Sequence, residues 1–140
     1  MQSGKDSPFY QRWIVRTKSL SIFDEFFFIY YAMNNLGKNV KIIPLNIEQL
    51  LCPILLANFI MSDGNYHKLH GYIRLYTNSF TLVEVQLLST AIFNKYGIQS
   101  RVQHDRREQY ILLFPRTQVA QLQELVKAHM IPSMLYRIGL

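Results

Sequence analysis

The chain has 140 residues, of which 49% are hydrophobic and 17% charged, so its composition is that of one folded domain and argues against a disordered tail. No stretch approaches the roughly 18 uninterrupted apolar residues of a membrane span, and the N-terminus has no apolar segment, so we expect neither a membrane protein nor a secreted one. Fifteen Lys and Arg residues against nine Asp and Glu residues give a net charge of +6, which favours a polyanionic partner, with nucleic acid first.

The N-terminal part is predicted to hold one strand and one helix. Residues 9–17 are rich in aromatic and β-branched side chains, which is typical of a strand. A helix is expected to follow, capped by Ser19 or Ser21 and running to about Asn35. Gly37 then fits the left-handed stop of that helix.

Two helical segments are predicted in the middle of the chain. Residues 38–45 are expected to form a connector, and Asn46 with Gln49 resembles a capping box that opens a helical turn at Ile47. A proline inside a helix removes a hydrogen bond, so a new helix is expected to begin at Pro53 and to run to about Ser62.

Residues 70–79 alternate between polar and apolar side chains, which predicts a strand. Several of the polar members are basic or aromatic, and such a sheet face can meet phosphates and bases. An ordinary solvated strand face is the alternative reading. The residues predicted to share that face are His70, Tyr72, Arg74, Tyr76 and Asn78.

The following segments carry clear local signals. Thr81 and Glu84 form a capping box for a helix that Gly97 ends. Residues 98–104 and 108–114 then predict a hairpin, joined by a charged turn.

The last predicted helix is capped by Thr117 and continues to about Met130. Residues 131–133 include a proline and are expected to end it. A short tail should follow.

The stretch that most strongly suggests a metal-binding or catalytic role is LANFIMSDG, residues 56–64. It predicts an apolar helix whose last turn places the Asp63 carboxylate at the rim, and Gly64 would let the chain turn sharply into the next strand. A carboxylate beside nucleic acid can bind Mg²⁺ together with waters and phosphate oxygens. A common Asp-Gly turn at a helix end is the alternative.

The other potentially reactive residues are expected to have no catalytic or metal-binding role. His67 and His70 match no zinc signature with further ligands, so we expect surface histidines. The single cysteine, Cys52, excludes a disulfide framework and is expected to be a small buried filler.

The stretch with Asp63 resembles the second signature helix of the LAGLIDADG homing endonucleases, with Asp63 at the position of the metal-binding acid. The resemblance covers about Tyr10 to Leu140. Segments similar to the C-terminal half of organellar intron-encoded members are RLYTNSFTLVEVQLL (74–88), FNKYGI (93–98) and HMIPSMLYRIG (129–139). Segments similar to the region that joins the two halves are RTKSLSIFDEFF (16–27) and NVKIIPLNIEQLLCPILLA (39–57).

The resemblance implies an α+β fold. Residues 46–140 would be an αββαββα half whose antiparallel sheet forms a saddle for nucleic acid. Residues 10–45 would be the last strand and helix of a first half, and residues 1–9 a loose N-terminus. The signature helices of two halves would pack together along a pseudo-twofold axis.

The resemblance also implies roles for individual residues. Asp63 would bind the catalytic Mg²⁺, Arg116 would lie near the scissile phosphate, and Thr77 or Asn78 would stand near the position that orients water. Position six of the motif is Met61 rather than an acid, and Asn58 replaces a small residue. The candidates for the nucleic-acid face are Tyr72, Arg74, Tyr76, Asn78, Arg101, Gln103 and Arg107.

Only one signature acid is visible, because no first signature helix precedes Tyr10. We therefore expect this chain alone to be inactive. It could pair through helix 53–62 with a second half, either a homodimer mate or a separate chain, and act as a metal-dependent DNA endonuclease. Alternatively, it could be a silent derivative that binds RNA as a splicing maturase or beside ribosomal RNA and proteins, with unpaired bases stacked on Tyr72 and Tyr76. The family suggests a soluble organellar protein, mitochondrial rather than chloroplast.

Overall fold

The computed structural model describes Lys18, Ser21, Asp24 and residues 29–140. The predicted strand at residues 9–17 and the N-terminus at 1–9 lie outside these residues. No described helix is long and apolar enough to cross a lipid bilayer. The elements are β1 (Tyr31–Met33), β2 (Asn39–Lys41), α1 (Ile47–Leu50), α2 (Pro53–Asp63), β3 (Gly64–His67), β4 (Tyr72–Leu75), α3 (Leu82–Tyr96), β5 (Arg101–His104), β6 (Tyr110–Phe114), α4 (Arg116–Val126) and two 3₁₀ helices, Lys127–His129 and Pro132–Ile138.

A hairpin replaces the predicted end of the first helix. That helix ends at Tyr30 rather than Asn35, and β1 pairs antiparallel with β2, so the expected connector at 38–45 begins with a strand. The Asn34 side chain accepts hydrogen bonds from the backbone N–H groups of Leu36 and Lys38, an interaction that competes with helical bonding. Gly37, at φ +72°, serves this turn and ends no helix.

The short helix α1 and the longer helix α2 begin where the sequence predicts. Asn46 makes no side-chain cap, so the predicted capping box at α1 is wrong, although the helix itself starts at Ile47. Pro53 occupies the first turn of α2, which confirms the prediction. Cys52, expected to be buried, is exposed immediately before α2.

Strands β3 to β6 form one antiparallel sheet in the order β3-β4-β6-β5. One face packs against the helices, because inward-facing residues of β4 and β6 join residues of α2, α3 and α4 in a single hydrophobic core. The fully buried residues of this layer include Leu56, Ile60, Ile73, Leu75, Leu112, Phe114 and Leu122. From α2 to α4 the order is αββαββα, as the resemblance implies.

The capping signals of α3 are confirmed. Thr81 and Glu84 exchange the two hydrogen bonds of a capping box, and Gly97 ends the helix in the left-handed region at φ +67°. Helix α4 differs from the prediction, because Pro115 precedes it and Thr117 lies inside its first turn without capping it.

The C-terminal segment is folded, so the predicted tail is wrong. The 3₁₀ helix at Pro132–Ile138 packs against β3, and Ile138 is fully buried in the core. A side-chain carbon on Gly139 would lie 2.8 Å from the Tyr66 ring, so the chain passes the ring closely and requires glycine there. Apolar residues after the proline thus close the core beside the first strand of the sheet.

Replacing Ile138 by Ala should lower the free energy of unfolding by about 2–5 kcal/mol, because it opens a cavity in the core. The matched change at the exposed Leu140 should alter it by less than about 0.5 kcal/mol. Urea unfolding of both variants measures the difference. Equal and small effects would show that the segment is not packed.

Candidate nucleic-acid interface

The face of the sheet opposite the helices carries a basic row. Residues that lie directly opposite each other in antiparallel strands share a face. The register pairs Asn65 with Arg74, Arg74 with Leu113, and Leu113 with Arg101, so two arginines and one amide lie in one line across the four strands. Arg101 is exposed and Arg74 half-buried. We call this surface the open face.

The strands of the open face carry no acidic side chain, because β3 to β6 contain neither Asp nor Glu. It is not uniformly polar: the inner strand β6 contributes Ile111 and Leu113, of which Ile111 is buried. Gln103 lies opposite Ile111 on the exposed edge strand β5. Polar and basic groups therefore line an apolar centre, an arrangement suited to a polyanion with apolar groups of its own.

Arg74 is held in place by two tyrosines. Its Nη2 donates a hydrogen bond of 2.5 Å to the Tyr72 hydroxyl, and its guanidinium carbon lies 5.0 Å from the centre of the Tyr72 ring. A hydrogen bond with Tyr76 raises the pKa of Arg74 further above its ordinary value. Its Nε is buried and has no hydrogen-bond partner in the structure. The charge is thus fixed and permanent, with a donor still unused.

Asp63 is placed by the direct junction of α2 and β3. It is the last residue of the helix, it is half-buried, and its carbonyl accepts a 2.9 Å hydrogen bond from the N–H of Tyr76. Gly64 is needed for space rather than for an unusual dihedral angle: its φ is −88°, and an added Cβ would lie 2.5 Å from the Ile60 carbonyl oxygen. The acid therefore sits at the end of the open face beside Tyr76.

Asp63 can supply one metal ligand. The described residues contain no group of three or more His, Cys, Asp or Glu side chains that could hold a metal ion among themselves. Mg²⁺ commonly uses one or two carboxylates with phosphate oxygens and water, so a single Asp fits a shared site. Met61, at position six of the motif, is buried, and its Sδ accepts a hydrogen bond from the N–H of Ile131, so this position serves packing.

Thr77 and Asn78, which were expected to orient water, make hydrogen bonds that hold loops in place. Thr77 is fully buried and its Oγ1 donates to the Tyr110 carbonyl at 2.8 Å. Asn78 lies beyond the end of β4, and its Nδ2 donates to Asp105 at 2.7 Å and to Gln109 at 3.1 Å. The predicted strand 70–79 is thus too long, and Asn78 is not on its face. A catalytic role for Thr77 or Asn78 stays a prediction.

Arg116 is separated from Asp63 along the sheet. It is the first residue of α4, and its stem approaches Gly71 at the turn between β3 and β4. Asp63 pairs with Tyr76 at the opposite end of β4. Five residues of extended chain span roughly 16 Å. The Arg116 stem therefore lies at the opposite end of β4 from Asp63, and its expected place near the scissile phosphate stays a prediction.

Two further groups were not found from the sequence. Arg137 donates from Nη1 to the Gly64 carbonyl at 2.7 Å, which places a guanidinium next to the residue that follows Asp63. His67 and His70, expected to be surface histidines, stack on each other and on Tyr72. Both arrangements join residues that no local pattern connects.

Arg107, the one non-glycine residue with positive φ among those described, is exposed in the turn between β5 and β6.

The sequence matches the LAGLIDADG DNA endonuclease family over residues 2–122. The chain belongs to this family. It is 35% identical over 123 residues to the cytochrome b mRNA maturase bI2 of Saccharomyces cerevisiae, covering 84% of this chain and 29% of that protein. It is 30% identical over 105 residues to the intron-encoded endonuclease ai4 of Dictyostelium discoideum, covering 74% of this chain and 65% of that protein. The chain thus spans less than two thirds of the length of these relatives.

The fold is similar to that of the homing endonuclease I-WcaI, solved bound to its DNA recognition sequence. The TM-score is 0.65 at 19% identity, and the match covers 78% of this chain and 62% of that one. At this identity the likeness establishes the fold, which confirms the mixed α+β architecture predicted from the sequence.

Substitutions of Thr77 test whether its hydrogen bond to the Tyr110 carbonyl stabilises the fold. Thr77→Val should lower the free energy of unfolding by about 1–3 kcal/mol, because the Tyr110 carbonyl loses its hydroxyl donor, whereas Thr77→Ser should retain most of the stability. Thr90→Val, at an exposed position, is the control. Thermal unfolding measures all three. A neutral Thr77→Val variant would contradict the structural role.

Proposed function

We propose that the chain is a nucleic-acid-binding half of a LAGLIDADG endonuclease that cleaves DNA only when a second half supplies another acid. The observation that carries the proposal is the open face, with Arg74 and Arg101 in one row and no acidic side chain on its strands. A fixed guanidinium binds phosphate well, and a sheet can enter the major groove. Residues proposed to contact the nucleic acid are Tyr72, Arg74, Tyr76, Arg101, Gln103 and Arg107.

Arg116 takes a different place in this proposal. Since it lies near Gly71, we assign it to a backbone phosphate towards the outer end of the open face rather than to the scissile one. A cation near Asp63 is instead available from Arg137, whose guanidinium reaches the Gly64 carbonyl.

The second half would dock on α2. This helix leaves Ile54, Asn58 and Ser62 exposed at four-residue intervals, so they form one stripe along it. Ile54 is 54% exposed, which is unusual for an isoleucine in a helix whose other face is fully buried. A homodimer mate, a separate chain or a further segment of a longer protein could cover the stripe. Each would bring its own acid beside Asp63.

Asp63 and the acid of the second half would together hold Mg²⁺, which would supply Lewis-acid chemistry for phosphodiester hydrolysis. Within this chain, Asp63 would hold its carboxylate at the junction of helix and sheet. Arg74 and Arg101 would align the backbone, and the tyrosines beside Arg74 would keep its guanidinium fixed.

RNA binding without cleavage is the second candidate. The observation that favours it is the similarity to proteins named cytochrome b mRNA maturases from Saccharomyces cerevisiae and Debaryomyces hansenii. The open face would then meet phosphates and 2′-hydroxyls of folded RNA, either an intron or ribosomal RNA with its proteins. For both candidates we propose a mitochondrial location, because these relatives are named for cytochrome b.

Arg74→Ala and Arg101→Ala should each weaken nucleic-acid binding and reduce the slope of log K against log salt by about 0.7–0.9, because each removes one phosphate contact. Lys127→Ala is the matched control, since this lysine pairs with Glu124 on the helical side and its loss also removes one positive charge. Filter binding at several salt concentrations gives the slopes. Equal slopes for all three variants would mean that another face binds.

Asp63→Asn should abolish Mg²⁺- or Mn²⁺-dependent DNA hydrolysis by the assembly of this chain with its second half, while changing affinity less than about twofold. The amide keeps the size of the side chain but loses the metal-binding charge. Glu124→Gln on α4 removes the same charge away from the sheet and should keep full activity. A plasmid-cleavage assay with each variant measures the loss.

The same assay separates the two candidates. The unmodified chain by itself should not cut. Robust cleavage by the isolated chain would contradict the need for a second acid. Binding that survives without cleavage, even with a second half added, would favour the RNA-binding candidate.

A further inference from the structure

Three aromatic rings meet at the tip of the hairpin formed by β3 and β4. His67 ends β3 and faces Tyr72 at the start of β4, and His70 lies in the turn between them. The ring centres are 4.7 Å apart for His67 and Tyr72, 4.9 Å for His67 and His70, and 6.1 Å for His70 and Tyr72. Their planes lie within 26° of one another. We call this cluster the ring platform.

The ring platform is held by hydrogen bonds of its own turn. The N–H of His70 donates to Nδ1 of His67 at 3.3 Å, and the N–H of Gly71 donates to the His67 carbonyl at 2.7 Å. Gly71 adopts φ +67°, which lets the turn close in this form. The Tyr72 hydroxyl is bound by Arg74. The rings are therefore oriented in advance, and a ligand would not have to order them.

The ring platform lies on the binding surface and remains accessible. His67 and Tyr72 belong to the row of the open face next to that of Arg74. The stem of Arg116 approaches Gly71 in this turn, but His70 is exposed and the neighbouring Leu69 is 81% exposed, so the tip stays open to solvent at these residues. Aromatic surface beside a fixed guanidinium matches a nucleotide, which has a flat base and an anionic phosphate.

We propose that the ring platform stacks an unpaired nucleobase of the nucleic acid that lies across the open face. The inference rests on the proposed function and adds a ligand for the hairpin tip. Inside a duplex both faces of a base are covered by its neighbours, so only a bulged, looped or terminal base presents a free face to the rings. DNA and RNA offer the same chemistry, and the test compares them.

The probes are two hairpin oligonucleotides of equal length, made in DNA and in RNA. One is fully paired, and the other carries a single bulged 2-aminopurine. Binding should quench the fluorescence of the bulged base. Comparison of the RNA and DNA versions of the bulged probe identifies which nucleic acid the ring platform prefers.

His70→Leu should weaken binding of the bulged probe by about five- to a hundredfold and leave the paired probe within about twofold, because it removes a ring but no phosphate contact. His70→Phe keeps a flat ring and should restore binding of the bulged probe. Since His70 is exposed, neither change should alter thermal unfolding.

An equal effect of His70→Leu on both probes, or none on either, would overturn the stacking role while leaving nucleic-acid binding intact. Failure of the unmodified protein to bind either probe would contradict the proposed function itself. The two failures are therefore distinguishable.

Discussion

The direct passage from α2 into β3 is the constraint on which the rest of the structure depends. The helix ends at Asp63 and the strand begins at Gly64, without a linking residue. The chain can turn so closely because glycine leaves room for the Ile60 carbonyl, and the buried Leu56, Ala57 and Ile60 hold the helix beneath the sheet. The position of the acid therefore follows from core packing. Any change that moves the helix would also move the carboxylate.

The loops around the sheet are stiffened by hydrogen bonds between distant segments. Thr77 and Asn78, which follow β4, bind to Tyr110, Asp105 and Gln109 of the β5–β6 hairpin. At the other edge, Arg137 binds the Gly64 carbonyl of β3. The first contacts connect the end of β4 to the β5–β6 hairpin, and the last connects the C-terminal 3₁₀ helix to β3. A nucleic acid would thus meet a preformed surface, which lowers the entropy cost of binding.

The sequence predicts elements well where their signals are local. The capping box at Thr81, the stop at Gly97 and the proline that opens α2 depend on a few adjacent residues, and each is confirmed. The β1–β2 hairpin and the packed C-terminal 3₁₀ helix were missed, because pairing and burial there depend on distant partners. The position of Arg116 near Gly71 was not predictable either, since the register between β4 and β6 decides which end of the sheet it reaches.

The candidate site was predictable in part. The resemblance to the LAGLIDADG family indicated Asp63 as a metal ligand, which stays a prediction, and alternation along β4 correctly placed Tyr72 and Arg74 on one face. The contact between Arg137 and Gly64 joins residues 73 positions apart, so no pattern in the sequence could have indicated it. The stacking of His67 and His70 depends on the conformation of one turn. Prediction of the basic row would have required the register of all four strands.

Photochemical cross-linking of a labelled nucleic acid to the protein, followed by mapping of the linked peptides, tests the central claim most directly. If the open face binds, the cross-links should fall in residues 65–76 and 101–113, which hold its arginines and rings. Residues 117–136, on the helical side and at the C-terminus, should be largely free of them. Cross-links concentrated in residues 117–136 would contradict the account.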